Sequence, residues 1–386
     1  MNLENSNLKN QKVILRTDYN VPIIKKNIQS TKRIDSTINT IQFILDQEPK
    51  QLIIISHLGR PKGIEYSLSL EPIRKYLSNL LKREITLYSI EDLPKQDSII
   101  LLENIRFYPE ETEMLDTTLN FRNKLSQLCD VYINDAFGCS HRPHSSIIGI
   151  NAQQKYMGFL LEKEIKYLKD SLKNNGIKSL ILGGSKVGDK IKLIKNLIPK
   201  TDNIIIGGGM AFTFLKYMGF QTGNSLVDNE NLNSIQEILN YAKLNNTKII
   251  LPKDFKCNQT FSNNGNIKTF LIEDGIPENY MGLDIGKESI DLFKKYIQKS
   301  DIIIWNGPLG VFEFDNFSEG SKQILNYLAN LDNTIKIIGG GDIVSCCEKF
   351  NYASKMSHVS TGGGASLELL EGKILPGIEF LNNSKL

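Results

Sequence analysis

The chain has few cysteines, little net charge and no long hydrophobic run, and each scarcity excludes a class of protein. Its five cysteines are odd in number and form no C-x-x-C pair, which argues against a disulfide framework and a zinc site. His141 and His144, three residues apart, lack the cysteines or acidic cluster that would complete a metal site. No apolar stretch approaches the roughly 18 residues of a membrane span, and the first ten residues do not resemble a signal peptide. We therefore predict a cytoplasmic protein without a membrane partner.

The charges are nearly balanced. Lys and Arg total 46 and Asp and Glu total 43, so the formal net charge is only +3, and no long basic run is present. This balance argues against a nucleic-acid partner. Hydrophobic residues make up 40% and charged residues 23%, as in ordinary globular proteins, and 386 residues suffice for two or three domains of about 150 residues.

Short runs of β-branched residues alternate with segments of helical periodicity along most of the chain. Ile34, Ile38, Ile41 and Leu45, for example, have the spacing of one helix face. This alternation predicts βαβ units and mainly parallel sheets, with too many strands for one sheet. The predicted strands are 13–16, 52–56, 99–102, 131–134, 180–182, 204–206, 249–251, 302–305, 335–338 and 358–360.

Two segments have other roles in this prediction. Thr260 to Ile272, around Asn264-Gly265, departs from the alternation and predicts an antiparallel hairpin. Gly158 to Leu172 carries apolar residues at helical spacing between two groups of strands, and we interpret it as a helix that links two domains.

The predicted strand ends of the first half carry cations and hydrogen-bonding side chains. Ligands of open α/β sheets bind at the carboxyl ends of the strands, so these residues are candidates for a binding site. One arginine there would be an ordinary surface residue, but several converging arginines would clamp phosphate and carboxylate groups. The candidates are Asp18, Asn20, Arg33, His57, Arg60, Arg106 and Arg142.

The predicted strand ends of the second half carry glycine instead. Glycines at strand-to-helix turns let backbone N–H groups approach phosphate oxygens, which predicts a nucleotide phosphate site. The turns are Gly183-Gly184, Gly207 to Gly209, Gly307 with Gly310, Gly339 to Gly341, and Gly362 to Gly364. None fits a known fingerprint: no G-x-G-x-x-G is present, and Asp189 occupies the place of the invariant lysine in the run that most resembles a P-loop.

Three charged residues beside these glycines have two interpretations each. Lys186 and Lys190 could be a solvated pair on one helix face, or ammonium groups that neutralise a transferred phosphate. Asp342 could be an ordinary N-cap or a ligand of Mg²⁺ bound to a nucleotide. The residue types alone leave both pairs of alternatives open.

Long strings of this sequence resemble the phosphoglycerate kinase family over essentially the whole chain. They are VILRTDYNVP (13–22), SHLGRP (56–61), LLENIRF (101–107), NDAFGCSHRPHSS (134–146), GFLLEKEI (158–165), GGSKVGDKI (183–191), WNGPLGVFE (305–313), GGGD (339–342) and HVSTGGGASLELLEGK (358–373). The resemblance implies an α/β protein of two Rossmann-like domains with a deep cleft between them and a hinge helix joining them. The implied boundaries are 1–156 for the triose-phosphate domain, 157–172 for the hinge and 173–373 for the nucleotide domain, with 374–386 packing on the first.

The same resemblance implies a reaction. The acyl phosphate of 1,3-bisphosphoglycerate would move to Mg-ADP, giving 3-phosphoglycerate and ATP, after the domains close on both small-molecule substrates. It implies a monomer in the cytoplasm. Such a reaction asks a protein mainly for positioning and charge neutralisation, as an arginine-rich half and a glycine-rich half can supply.

Family roles transfer to this sequence position by position. Asp18 and Asn20 would hold the hydroxyl and carboxylate end of the triose. Its phosphate would be held by His57, Arg60, Arg106 and Arg142. The resemblance makes Arg33, Lys186, Gly363 and Gly364 the groups around the migrating phosphoryl. The implied nucleotide ligands are Gly184, Lys186, Lys190, Gly207, Gly208, Leu283, Asn306, Glu313, Gly340, Gly341 and Asp342, with Asp342 on the magnesium.

The sequence departs from the family pattern at few positions. Thr17, Tyr19, Cys139 and Pro143 are substitutions that we expect to be tolerated. Ile343 replaces a threonine that usually contacts the nucleotide phosphates, so we expect Ile343→Thr to tighten nucleotide binding.

Two other classes of protein share parts of this pattern. A nicotinamide dehydrogenase would show G-x-G-x-x-G and an acidic residue about 20 positions later, which are missing. A non-catalytic nucleotide sensor would keep the glycines without needing Lys186, Arg33 and the other arginines. Formation of ATP from bisphosphoglycerate and Mg-ADP distinguishes the three.

Overall fold

The computed structural model describes residues 3–94, 98–113 and 117–382, and the chain divides into two compact units. The first unit comprises Met1–Ile165 and Ile374–Leu386, and the second comprises Lys166–Lys373. Each has a six-stranded parallel sheet with helices. The predicted α/β class with two domains of mainly parallel strands is confirmed.

The first unit is built on a sheet in the order β5-β6-β4-β1-β7-β8, with every pair parallel. Its strands, with the short antiparallel hairpin β2/β3, are β1 (Lys12–Arg16), β2 (Ile23–Ile24), β3 (Asn27–Ile28), β4 (Gln51–Ile55), β5 (Thr86–Tyr88), β6 (Ile99–Leu102), β7 (Val131–Asn134) and β8 (Gln154–Met157). Its helices are α1 (Lys32–Asp35), α2 (Ile38–Asp46), α3 (Glu71–Leu81), α4 (Leu119–Ser126), α5 (Ser145–Ile148) and α6 (Phe159–Ile165), followed by the C-terminal helix Pro376–Asn382.

The central strands are apolar along nearly their whole length because helices can cover both faces of a parallel sheet. Val13, Ile14 and Leu15 of β1 are fully buried, and Ile54 and Ile133 of the flanking strands are buried beside them. The burial of uninterrupted apolar strands therefore aligns the polar residues that follow β1, β4 and β7 at one sheet edge.

The second unit is built on a sheet in the order β11-β10-β9-β15-β16-β17, again parallel throughout. A separate antiparallel sheet has the order β13-β12-β14. The strands are β9 (Lys178–Leu182), β10 (Asn203–Ile206), β11 (Lys248–Ile250), β12 (Asp254–Asn258), β13 (Lys268–Leu271), β14 (Met281–Ile285), β15 (Ile302–Asn306), β16 (Ile335–Ile338) and β17 (His358–Val359). The helices are α7 (Ile191–Leu197), α8 (Met210–Tyr217), α9 (Leu232–Leu244), α10 (Lys287–Ile297), α11 (Glu319–Ala329), α12 (Gly341–Lys349) and α13 (Gly364–Leu370), and α14 is the C-terminal helix of the first unit.

Two predicted helices have a different form in the structure. The helix expected through Ile34 and Leu45 is divided into α1 and α2, because the hydroxyl of Thr37 donates to the carbonyl of Ile34 at 2.9 Å and interrupts the helical ladder. The helix expected over 158–172 is α-helical only to Ile165, then π-helical over Lys166–Asp170 and 3₁₀-helical over Ser171–Lys173.

The predicted hairpin is present, but its first strand, β12, lies before the expected range 260–272, and only β13 lies within that range. β12 begins at Asp254 and β13 at Lys268, so Thr260 and Asn264-Gly265 lie in the connecting loop. The two-residue strands β2 and β3 were not predicted, and neither were β5, β8 and β14. They are short or mixed in polarity, and their pairing depends on neighbours distant in sequence rather than on local pattern.

No helix among the described residues is long and apolar enough to span a bilayer. The longest, α9, has 13 residues.

Candidate functional site

In the first unit, polar side chains that follow β1, β4 and β6 meet at the carboxyl edge of the sheet. Both carboxylate oxygens of Asp18 accept from Nη1 of Arg33 at 3.1 Å. Oδ1 of Asn20 accepts from the N–H of Gly59 at 2.9 Å, and Nη1 of Arg106 donates to the carbonyl of Gly59 at 2.7 Å. The loop after β4 therefore connects residues that are more than 80 positions apart in the sequence.

Arg16 is an additional cation of this cluster that was not among the predicted site residues. Its side chain is fully buried at the end of β1, 3.6 Å from the equally buried Glu111. Nε donates to the hydroxyl of Ser146 at 2.6 Å, and Glu111 accepts from both the hydroxyl and the N–H of Ser146. An arginine that ends an otherwise apolar strand was the sequence signal, and only the fold shows that it is buried.

The cluster has more positive charge than its carboxylates balance. Burial and then the charges of Arg16 and Arg106 lower the pKa of His57 well below its usual range. Burial and the same two arginines lower the pKa of His144 to about 3. Nε of Arg106 is buried and has no hydrogen-bond partner among the described residues. An arginine donor left unsatisfied in a field that suppresses further protonation is typical of a site that binds an anion.

A metal ion is the alternative occupant of this cluster, since one ligand atom each of Asp18, His57 and Cys139 lie within 4.8 Å of one another. However, Nδ1 of His57 lies 3.7 Å from Sγ of Cys139, whereas Nε2 of His57 lies 4.0 Å from Oδ1 of Asp18. The imidazole therefore contacts these two residues through different ring nitrogens. The surrounding arginines would also repel a cation. The geometry favours an anion.

The remaining two predicted arginines lie at the surface of the same loops. Arg60 follows Gly59 and is exposed, and Arg142 is exposed after the turn at Phe137–Cys139. Neither is in an ion pair within the described part of the chain. The exposed guanidinium groups of Arg60 and Arg142 are available to a ligand.

In the second unit, a pocket of about 560 Å³ is lined by the turns that follow β9, β10 and β15 and by residues of the antiparallel sheet. This is the topological switch point of the parallel sheet. From β9, the strands β10 and β11 are added on one side of the sheet, and β15, β16 and β17 are added on the other. Five predicted nucleotide ligands line the pocket: Gly184, Gly208, Leu283, Glu313 and Asp342.

The glycines of this pocket allow two turns to pack backbone against backbone. A Cβ on Gly183 would lie 1.9 Å from the carbonyl oxygen of Pro308, and one on Gly208 would lie 2.7 Å from the N atom of Gly184. Gly208 also has a φ of +62°, a conformation that favours glycine. The N–H of Gly184 donates to Pro308 at 2.9 Å. Side chains at these positions would force the turns apart.

The other predicted ligands of the second unit surround the pocket without lining it. Gly207 directly follows β10, and its N–H donates to the carbonyl of Leu182 at 2.7 Å. Nδ2 of Asn306 donates to the carbonyl of Gly339 at 2.6 Å, and Oδ1 of Asn306 accepts from Nζ of Lys190. Gly340 is the N-cap of α12, and its neighbours Gly341 and Asp342 form the exposed first turn.

Lys190 and Lys186 are in different environments despite their spacing of four. Burial lowers the pKa of Lys190 to about 8, although the charge of Asp342 opposes this effect. Lys186 is exposed in the turn before Gly188. The ammonium of Lys190 is therefore held in place, whereas that of Lys186 is free to reach a ligand.

Gly363 and Gly364 lie at the start of α13, and Ile343 lies in the first turn of α12. Gly363 has a φ of +52° and open space where a Cβ would be. The side chain of Ile343 is fully buried and does not line the pocket. The side chain of Ile343 therefore belongs to the core, although its backbone lies in the first turn of α12.

A comparison with known families identifies the family and the fold. Residues 3–373 match the family model described as phosphoglycerate kinase. The chain belongs to the phosphoglycerate kinase family. As a member it is a phosphotransferase enzyme.

Individual members of the phosphoglycerate kinase family match the chain from end to end. Phosphoglycerate kinase 2 of Mus musculus is 43% identical, covering 99% of this chain and 98% of its own. Phosphoglycerate kinase of Plasmodium falciparum is 45% identical, covering 97% of both chains. The solved structure of phosphoglycerate kinase from Coxiella burnetii has a TM-score of 0.91 at 35% identity, covering 99% of this chain and 98% of that one.

The pocket of this phosphoglycerate kinase family member also contains residues that the sequence did not predict. Phe212, Phe255 and Phe261 line it, and Phe261 is 65% exposed in the loop after β12. Asp284 lines it as well, with burial raising its pKa to about 8. Phe255 and Asp284 lie on β12 and β14, which the sequence pattern does not predict, and nothing in that pattern marks Phe212 of α8 or Phe261 as a pocket residue.

Proposed function

We propose that this protein transfers the acyl phosphate of 1,3-bisphosphoglycerate to Mg-ADP, reversibly giving 3-phosphoglycerate and ATP in glycolysis. The observation that carries the proposal is that the two units contain two different kinds of binding site. The first holds a cluster of arginines with an unsatisfied buried donor, and the second holds a glycine-lined pocket of nucleotide size.

The cluster of the first unit binds the triose. At the hydroxyl and carboxylate end of the triose, the carboxylate of Asp18 accepts hydrogen bonds and the amide of Asn20 donates or accepts them. His57, Arg60, Arg106 and Arg142 hold its phosphate. Because His57 is kept neutral, it acts as a hydrogen-bonding group, while the arginines supply the charge.

The pocket of the second unit binds the nucleotide. The apolar walls around Leu283 and the close-packed turn of Gly207 and Gly208 accept the adenine, and Glu313 reaches the ribose hydroxyls. Phe255 and Phe261 add aromatic surface to the same pocket. Gly184, Gly340, Gly341, Lys190 and Asn306 face the phosphates.

Mg²⁺ would be held by Asp342. An exposed carboxylate in the first turn of α12, at the edge of the pocket, matches the single protein ligand that Mg²⁺ on a nucleotide commonly takes. The ion would neutralise phosphate charge. The protein itself contributes orientation through the α12 backbone and the fixed ammonium of Lys190.

Arg33, Lys186, Gly363 and Gly364 act on the migrating phosphoryl group. Arg33 is already aligned by Asp18 and Asn20, and Lys186 is an exposed ammonium next to the pocket turn. Their charges stabilise the oxygens of the phosphoryl in flight. Transfer requires that water be excluded, so we expect the two units to close, as a smaller radius of gyration with both ligands in X-ray scattering would test.

The deciding experiment measures ATP formation from 1,3-bisphosphoglycerate, ADP and Mg²⁺ by the purified protein, which we expect to be a cytoplasmic monomer. Omission of each component in turn supplies the controls. Turnover that depends on all three supports the proposal. Nucleotide binding without turnover would favour the nucleotide sensor, and turnover with a nicotinamide cofactor would favour the dehydrogenase.

A further inference from the structure

Asp228 lies outside every assigned site, yet its carboxylate contacts the turn that carries Lys186. Oδ2 accepts from the N–H of Gly188 at 2.9 Å, and both oxygens accept from Nδ2 of Asn231 at 3.0 Å. The N–H of Asp228 donates to Oγ1 of Thr213 at 3.0 Å, a fully buried side chain of α8. One residue thus connects the turn to the helix that follows the glycines of β10.

The contact requires glycine on the other side. A Cβ on Gly188 would lie 2.6 Å from Nδ2 of Asn231 and 3.0 Å from Oδ2 of Asp228. Gly188 also begins the single 3₁₀ turn Gly188–Lys190 that leads into α7. The hydrogen bond from Gly188 therefore fixes the backbone two residues after Lys186 and two before Lys190.

The carboxylate of Asp228 also interacts electrostatically with this turn. Burial alone would raise the pKa of Asp228, but hydrogen bonds from Asn231 and Gly188 and the charge of Lys186 lower it. The other charged groups of the turn are Asp189, which is exposed, and Lys190, which is bonded to Asn306. Lys186 thus has an anionic neighbour on its own side of the pocket.

We infer that Asp228 is a positioning residue that holds the turn 185–190 so that Lys186 points to the transferred phosphoryl. This inference rests on the role proposed above for Lys186. A lysine on an unrestrained turn would lose conformational freedom at each turnover, and misplacement of a reacting group by about 1 Å can cost about 100-fold in rate. A carboxylate that binds a backbone N–H removes that freedom in advance.

A double-mutant cycle tests whether Asp228 acts through Lys186. We expect Asp228→Ala to lower kcat by about 10-fold to 100-fold, with the KM for 3-phosphoglycerate within about twofold. Added to Lys186→Ala, it should cause no more than about a further twofold loss. Multiplicative effects in the double variant would overturn the inference. Loss of the same size in Glu230→Ala, an exposed acid of the same segment, would overturn it too.

A second variant distinguishes loss of the hydrogen bond to Gly188 from a general loss of folding stability. Asp228→Asn keeps one oxygen that can accept from Gly188, so it should retain more activity than Asp228→Ala at equal thermal stability. Equal loss in both variants, with a lowered Tm, would mean a general structural role and would contradict the inference.

Hydrogen–deuterium exchange gives a readout that does not depend on activity. In Asp228→Ala we expect the peptide covering 184–191 to exchange at least about tenfold faster, with β9 and β15 unchanged. Unchanged exchange of this peptide would overturn the inference even in an active enzyme. An inactive wild type with faster exchange in the variant would instead refute the proposed function and leave the contact established.

Discussion

Nζ of Lys190 donates a hydrogen bond to Oδ1 of Asn306, whose Nδ2 donates to the carbonyl of Gly339 at 2.6 Å. Two residues 116 positions apart thus tie the turn after β9 to the ends of β15 and β16. The ammonium is held by a protein side chain, and its environment sets the pH at which it is charged.

Nucleotide affinity should fall as pH rises through the pKa of Lys190. Burial lowers this pKa to about 8, so the group is a cation below that pH and neutral above it. Calorimetric titration of ADP at about one pH unit below and about one pH unit above this pKa should show weaker binding at the higher pH. Lys190→Met should bind weakly at both, whereas Lys192→Met, an exposed neighbour, should keep the wild-type dependence. A pH-independent Kd in the wild type would contradict the assignment.

Lys186→Ala should lower kcat by about 10²-fold to 10³-fold with little change in KM, because its charge acts mainly on the transition state. Arg33→Ala should behave similarly. Steady-state kinetics with Lys192→Ala as the matched control measures this. Retention of more than about half of the wild-type kcat by Lys186→Ala would exclude its transition-state role.

Arg106→Ala should weaken 3-phosphoglycerate binding more than it lowers kcat. Its buried Nε has no partner among the described residues, and the phosphate that it is proposed to hold does not change charge in the reaction. Loss of one charge-assisted contact should raise Kd by about 10-fold to 100-fold. Arg83→Ala, an exposed arginine outside the cluster, provides the control. A kcat defect at unchanged Kd would place Arg106 at the reacting group instead.

Ile343→Thr was expected from the sequence to tighten ADP binding, and the structure changes that expectation. The side chain is fully buried, so the substitution places a hydroxyl in the core and removes apolar surface. We expect a loss of about 1 to 3 kcal/mol in the free energy of unfolding, with ADP affinity within about twofold. Denaturant unfolding and ADP titration, with half-buried Val344→Thr as the control, measure both quantities. Tighter ADP binding would show that the hydroxyl reaches the phosphates after all.

Asp284 should make the protein less stable as pH rises. Burial raises its pKa from 3.8 to about 8, although hydrogen bonds from the N–H groups of Gly320 and Ile285 and the charge of Lys256 act in the opposite direction, and Glu319 adds to the rise. Between these two values the folded state binds more protons than the unfolded state, so stability falls with increasing pH. Asp284→Asn should flatten the dependence of Tm on pH over this interval, and exposed Asp291→Asn should not. Identical profiles in all three proteins would contradict the prediction.

Much of the architecture could be read from local pattern. Apolar runs such as 13–15 and 302–305 can be buried only in a sheet covered on both faces, and the residues that follow them must then gather at one edge. The candidate site followed from this rule, because Asp18, His57 and Arg106 lie in the loops that follow β1, β4 and β6. Glycine-rich strand ends likewise predicted the side of the second sheet where the pocket lies.

Other features depended on contacts that no local pattern encodes. Among the described residues β14 pairs with β12 alone, so the sequence does not predict where Asp284 lies. The pairing of Arg16 with Glu111 joins residues 95 positions apart, and the contact of Asp228 with Gly188 spans 40.

The sequence by itself determined the parallel strands, the division into two domains, the family and the positions of the glycine-rich turns at the strand ends, because strand burial and glycine geometry are local properties. Only the tertiary structure decided which side chains are buried and which are free. Ile343 faces the core while Lys186 faces solvent, although both follow glycine-rich strand ends. Burial and hydrogen bonding are set by what the other strands and helices bring alongside, and these neighbours also set the pKa values of His57, Lys190 and Asp284.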